Sequence, residues 1–256
     1  VIEHLRYITN DDCSIVVTGH SVGAQYVQRW SVLTNVEWKS SIRAVIMNPS
    51  SWTYLTPYRK IRDDWKIPTI RCLNYNSWPW GLEPEEHHKN MKKSFQSPYF
   101  DRVMQTSDIG HIIERYKSRQ IYYLAGALDR CNTTGKLQWC QSHDLGTSCN
   151  DELQGNSRWV RAHRFVESLR ISNITTQHTF LAVPNVGHDH AMMFTSPVGV
   201  SVLFPPAKEK VKRASESAKI MNFPHHSFSA RFMRLVKVFV RSRLALMQAI
   251  SGLLGS

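Results

Sequence analysis

The sequence predicts an α/β fold built on a parallel sheet, and three observations predict it. Short apolar, β-branched runs recur at residues 14–18, 42–47, 120–126 and 179–183. Between them lie stretches with helical spacing or long polar insertions, never the two-residue turn of a hairpin, so neighbouring strands should run parallel. Finally, the first run climbs into Gly19-His20-Ser21-Val22-Gly23, and a helix-forming stretch follows at once. Strand, sharp turn with a serine at its tip, then helix is the form of a nucleophile elbow.

Taken in order, residues 1–10 read as the end of an amphipathic helix with Ile2, Leu5 and Ile8 on one face, and Asn10-Asp11-Asp12 breaks it. After the elbow, apolar Val22, Tyr26, Trp30 and Leu33 recur at spacings of three and four, as one helix face requires. Gly19 and Gly23 are expected to leave room for that helix and the neighbouring strand to approach. Ile42 to Met47 is a second strand, ended by Asn48-Pro49-Ser50-Ser51. Residues 52–118 break the rhythm and are rich in Pro, Asn and aromatics, with Trp52, Trp65, Trp78 and Trp80 among them. They read as a cap over the carboxyl edge of the sheet, with Trp52, Trp78 and Trp80 as lining for an acyl or aryl pocket or, individually, as the cap's own core. The rhythm returns at residues 120–126, then a helix over residues 157–170 with Trp159, Val160, Phe165, Val166 and Leu169 inward, then the strand at 179–183.

The chain has 256 residues, 42% of them hydrophobic, enough for a sizeable core, and a net charge of +12. Residues 201–256 carry ten Lys and Arg against Glu209 and Glu216, so most of the excess sits in one tail. That pattern argues against a nucleic-acid-binding surface over the whole chain. Within the tail, residues 230–254 read as an amphipathic helix: Arg231, Arg234, Lys237 and Arg241 on one side, Phe232, Val236, Phe239, Leu246, Ile250 and Leu253 on the other. Arg241 and Arg243 interrupt the apolar run, which is too short to span a bilayer. Such a helix docks on the body or lies on a membrane surface. The expected division is a body over residues 1–199 and a tail over 200–256. Of the five cysteines, Cys131, Cys140 and Cys149 fall at nine-residue intervals in one polar loop. The spacing fits no common zinc pattern, which leaves a disulfide within the loop or free buried thiols.

A serine hydroxyl needs a base within hydrogen-bond reach and a carboxylate to orient that base. After an elbow these arrive in the order serine, acid, histidine, from loops that follow later strands. His188 lies just past the last strand and is the expected base, ahead of His190 and of His20, which should face the other way round the turn and serve packing or the pocket. Asp129 follows the penultimate strand and is the expected acid. Asp189 is too close to His188 in sequence to orient its ring. The amide of Val22, at the start of the helix, is the expected oxyanion donor. No metal or organic cofactor is implied.

Gly19-His20-Ser21-Val22-Gly23, Leu124-Ala125-Gly126-Ala127-Leu128-Asp129 and Val183-Pro184-Asn185-Val186-Gly187-His188 resemble the elbow, acid and histidine segments of the α/β-hydrolase superfamily. Asn74-Tyr75-Asn76-Ser77-Trp78-Pro79-Trp80-Gly81-Leu82, the cysteines after the acid and Cys149-Asn150-Asp151-Glu152-Leu153-Gln154-Gly155-Asn156-Ser157-Arg158 resemble a group of largely uncharacterised, often secreted microbial hydrolases. The resemblance covers residues 1–196. It implies an incomplete hydrolase-type sheet lacking its N-terminal strands, in a chain that is the C-terminal part of a longer protein with an extracytoplasmic location. The expected reaction of the Ser21, His188 and Asp129 set is hydrolysis of a small-molecule or lipid-like ester. An acyltransferase or serine peptidase with the same triad, or a silent hydrolase-like binding module, are the alternatives.

Overall fold

A computed structural model describes residues 14–38, 42–69, 72, 74–83, 97–131, 145–175 and 177–205. They fall within one compact unit that spans residues 1–207. The amphipathic tail helix expected at 230–254 lies outside the described residues, as do Cys13 and Cys140.

Four strands form a parallel sheet in the order β1 (Ile15–His20), β2 (Ile42–Met47), β5 (Gln120–Gly126), β6 (His178–Val183). The register aligns Gly19 with Ile46, Met47 with Leu124 and Gly126 with Val183, so the carboxyl ends of all four strands share one edge. The middle strands alternate. Ala44, Ile46, Ile121, Tyr123 and Ala125 belong to the core on one face, and Val45, Met47 and Leu124 to the core on the other. Continuous apolar runs suit strands covered on both faces. The α/β class expected from the sequence is therefore the class observed.

On the first face lie α1 (Val22–Leu33), α3 (Ile109–Lys117) and α5 (Arg158–Ile171); α1 packs on β1, β2 and α3, and α5 on β5. On the second face, β6 packs with α7 (Pro197–Leu203), and α7 with α6 (His190–Thr195). Side-chain caps start these helices where the chain supplies them: Asp108 accepts from the His111 amide, Ser157 from Val160 and Ser196 from Gly199.

The structure corrects several expectations. The buried side of α1 is Ala24, Gln25, Val27, Gln28, Ser31, Val32 and Leu33, whereas Val22 and Tyr26 are 59% and 70% exposed. Apolar periodicity does not find this side because polar residues share the packing with Ala24, Val27, Val32 and Leu33. Gln28 exchanges two hydrogen bonds with the backbone of Thr53, and Gln25 binds Ser50 and Ser51. In α5, Phe165, Val166 and Leu169 are buried as expected, but Arg158 and Arg161 are buried instead of Trp159 and Val160. Arg161 does so by donating to the carbonyls of Gly155, Gly146 and Ser50.

Residues 52–118 are not one cap. Trp52, Tyr54 and Leu55 join the core of the first face. The hairpin β3 (Arg59–Ile61) and β4 (Asp64–Lys66) is tied to α5 by Lys60 and Trp65, both donating to Glu167. After α2 (Pro98–Thr106), α3 buries Ile112 and Tyr116 fully and leads into β5, so it is part of the crossover between β2 and β5. The expected boundary at 199 cuts through α7, whose Val202 and Leu203 pack in the second core.

One buried polar chain crosses the first face. His178 Nε2 is 3.0 Å from the Tyr116 carbonyl, which can only accept, so Nε2 carries the proton and Nδ1 accepts from the Tyr123 hydroxyl at 3.0 Å. The Tyr123 oxygen in turn accepts from the Tyr116 hydroxyl at 2.6 Å.

Candidate active site

Ser21 stands between β1 and α1 with φ 56° and ψ −119°. A non-glycine residue in this backbone region is strained, and such strain collects at functional sites. Gly19 makes the turn sterically feasible, because a Cβ there would lie 2.5 Å from the backbone C and O of Gly23. Gly23 itself has open space where its Cβ would be, so the close approach requires one glycine of the pair, not both. The Ser21 amide donates to the Met47 carbonyl at 3.0 Å and fixes the turn to the end of β2.

Asp129 lies in the turn after β5, its amide donating to the Gly126 carbonyl at 3.0 Å. The amides of Ala127 and Leu128 donate to the carbonyls of Val183 and Val186, which joins this turn to the loop after β6. His188 ends that loop. Its Nδ1 is 2.8 Å from Asp129 Oδ2 and its Nε2 is 2.9 Å from Ser21 Oγ. With the Asp129 carboxylate accepting from Nδ1–H, Nε2 is left to accept from the serine hydroxyl. The three expected residues, 167 positions apart at the extremes, are in one hydrogen-bonded line.

Asp129 is enclosed: it is 2% exposed, Arg158 Nη1 is 3.9 Å from its Oδ1, and the Trp159 amide at the start of α5 donates to its carbonyl at 3.0 Å. Arg158 closes the 149–158 segment singled out in the sequence, but nothing in that segment marks it as the neighbour of Asp129.

His20 is beside His188 rather than turned away from it. Its ring centroid is 4.6 Å from that of His188 and 6.2 Å from that of His190. Burial first, and the neighbouring His188 second, push its pKa down to about 4. The ring is therefore neutral near pH 7. His190 is exposed, and Asp189 caps α6 by accepting from the Met192 amide.

Of the expected pocket tryptophans, Trp52 is fully buried and stacked on Phe165 at 4.4 Å, so it is core. Trp78 stacks on Phe100 at 4.9 Å, and Trp80 Nε1 donates to Asp151 Oδ1 at 2.9 Å. The buried guanidinium of Arg59 holds their segment by donating to Asn76 Oδ1 and the carbonyls of Tyr75 and Trp80. The cysteine expectation also changes. Cys149 is bonded to Cys72, 77 residues earlier, rather than within its own loop. Cys131 is disulfide-bonded too. Trp80, eight residues after Cys72, also reaches α4 (Cys149–Glu152) through Asp151, a meeting of segments that spacing along the chain could not reveal. Among the described residues no three His, Cys, Asp or Glu side chains are grouped to hold a metal ion, and no helix is long and apolar enough to cross a membrane.

No protein-family model and no curated protein matches the chain. Solved structures similar to it include poly(aspartic acid) hydrolase-1 from Sphingomonas sp. KT-1, at 18% identity and a TM-score of 0.47 over 73% of this chain and 55% of that one. LpqC, a poly(3-hydroxybutyrate) depolymerase from Bordetella parapertussis, is similar at 18% identity and a TM-score of 0.44, over 76% and 50%. The peroxisomal α/β-hydrolase Lpx1 from Saccharomyces cerevisiae is similar at 14% identity and a TM-score of 0.26, over 91% and 62%. The chain thus spans about half the length of the first two.

Proposed function

We propose that this chain carries the reacting centre of an α/β-hydrolase-type serine hydrolase that cleaves a carboxylic ester. The observation that carries this reading is the line Ser21 Oγ, His188 Nε2, His188 Nδ1, Asp129 Oδ2, with contacts of 2.9 and 2.8 Å at the carboxyl edge of a parallel sheet. Ser21 attacks the substrate carbonyl carbon while His188 Nε2 takes its proton. Asp129 holds the ring in the tautomer that leaves Nε2 free to accept, and balances the imidazolium that forms. The Val22 amide, at the first position of the twelve-residue α1, has no carbonyl within its own helix to bind and is the proposed donor to the oxyanion. Collapse of the tetrahedral intermediate expels the alcohol, protonated by His188, and leaves an acyl group on Ser21. Water activated by the same ring then releases the acid.

A fluorophosphonate probe followed by peptide mapping tests this reading. Labelling confined to Ser21, lost on heating the protein above its unfolding transition, is the expected result. An unlabelled Ser21 in folded protein would refute it. A panel of ester, amide and acyl-acceptor substrates then separates ester hydrolysis from the related acyl transfers.

A further inference from the structure

Asn48 is the first residue after β2, 1% exposed, with φ 48°. Its backbone amide donates to the Leu124 carbonyl at 3.1 Å. Its side chain makes two more bonds, one to the last residue of β5 and one to the loop after β6: Oδ1 accepts from the Gly126 amide at 2.8 Å, and Nδ2 donates to the Gly187 carbonyl at 3.1 Å. Gly126 is the residue whose own carbonyl receives the Asp129 amide, and Gly187 immediately precedes His188. On the other side, Met47, the neighbour of Asn48, receives the Ser21 amide. The end of β2 therefore touches the backbone of all three turns that supply the serine, the acid and the base.

We propose that Asn48 is a positioning residue for this site, one that sets the separation and orientation of the Asp129 and His188 loops by binding both with one amide. The proposal rests on the serine-hydrolase reading above. Four features support it. The chemistry fits, because an amide carries a neutral acceptor and a neutral donor on one rigid plane, and each is used here. The backbone fits, because asparagine tolerates a left-handed conformation better than other side chains of its size. The surroundings fit, because a Cβ on Gly126 would lie 2.5 Å from the Val186 carbonyl oxygen and 2.6 Å from that of Gly187. The two loops are thus in backbone contact at the point where Asn48 reaches both. Finally, the contacts Ala127–Val183 and Leu128–Val186 hold the loops together on their own side only, and Asn48 supplies the tie to β2 and the serine turn. A displacement of about 1 Å between reacting groups can cost on the order of 100-fold in rate.

The test uses Asn48→Asp and Asn48→Gly in the full chain. Aspartate retains the acceptor for Gly126 but turns the donor to Gly187 into a second acceptor. Glycine removes both bonds while accepting the backbone angle without strain. Circular dichroism melts identify a temperature at which each variant is folded, and there the fluorophosphonate labelling rate of Ser21 is followed against probe concentration and pH. The expected result is a maximal rate lowered about 10–100-fold, half-saturating probe within about 2-fold of the parent, and a shifted pH profile. Proton NMR of the His188 Nδ1–H hydrogen bond to Asp129 should show its low-field resonance shifted or lost in both variants. Folded variants that keep the parent rate, profile and resonance would overturn the proposal. Variants that both unfold would overturn it as well, since the side chain would then serve folding rather than alignment. If the parent protein is not labelled at Ser21, the hydrolase reading fails, while the resonance still decides whether Asn48 sets the His188–Asp129 pair.

Discussion

Under the proposed mechanism the three hydrogen-bonded residues fall into two expected costs. Ser21→Ala and His188→Ala should each lower kcat by roughly 10⁶-fold, because nucleophile and base act as a unit. Asp129→Asn should cost less, about 10⁴-fold, since the oxyanion donor and a misoriented base still contribute. Ester turnover by each variant, compared at equal folded concentration, checks this order, and an active His188→Ala would remove the base from the scheme. A second residue-level expectation concerns pH. Burial pushes His178 from 6.5 down to about 4. The unfolded chain therefore binds the proton first as pH falls, and the stability this residue contributes is complete above pH 6.5 and lost as pH falls towards 4. The effect amounts to roughly 3 kcal/mol by the low end of that window. His178→Gln can accept from Tyr123 and donate to Tyr116 without titrating. Its Tm should fall less than that of the parent between pH 7 and pH 4, and parallel melting curves would contradict the assignment.

At the scale of the element, the elbow is decided by the backbone. Gly19→Ala places a methyl 2.5 Å from the carbonyl of Gly23, and the atoms it meets are backbone, which cannot step aside without moving α1. Gly23→Ala meets nothing within 4 Å and replaces glycine by the better helix former near the start of α1. Thermal melts should show a large loss for the first. For the second they should show no loss, or a gain of up to about 1 kcal/mol. Equal destabilisation by both would mean that the turn is not held by this contact.

For the whole molecule, the Cys72–Cys149 bond joins segments 77 residues apart. Closing a loop of that length restricts the unfolded chain by an amount worth on the order of 4 kcal/mol in the chain-entropy account. The double variant Cys72→Ser, Cys149→Ser should melt well below the parent, and peptide mapping without reductant should recover the two cysteines as one linked species. Alkylation of both thiols in unreduced protein would exclude the bridge. The bond anchors the chain just ahead of Trp80 to the turn before α5, whose first residue, Arg158, lies against Asp129. Loss of the bridge should therefore lower activity as well as stability, and that coupling separates it from a remote staple.

Sequence alone located the parallel sheet, the turn at Ser21, and Asp129 and His188 as the two residues that the structure joins to it in one hydrogen-bonded line. Those features are local: a β-branched run, a glycine before a serine, an acid or a histidine a few residues past a strand. What it misassigned depends on which polar groups find partners. Gln25, Gln28, Arg158 and Arg161 are polar in sequence yet buried, because backbone carbonyls, hydroxyls and a carboxylate from distant segments satisfy them. Trp52 is core rather than pocket wall because Phe165, more than a hundred residues later, stacks on it. Cys149 could not be paired by counting, since its partner comes from another segment. Asn48 read as an ordinary strand-ending asparagine, and only the meeting of the loops after β5 and β6 gives its amide two partners. Periodicity reports which residues avoid water on average; the tertiary structure decides which donor meets which acceptor, and that pairing is what aligns a site.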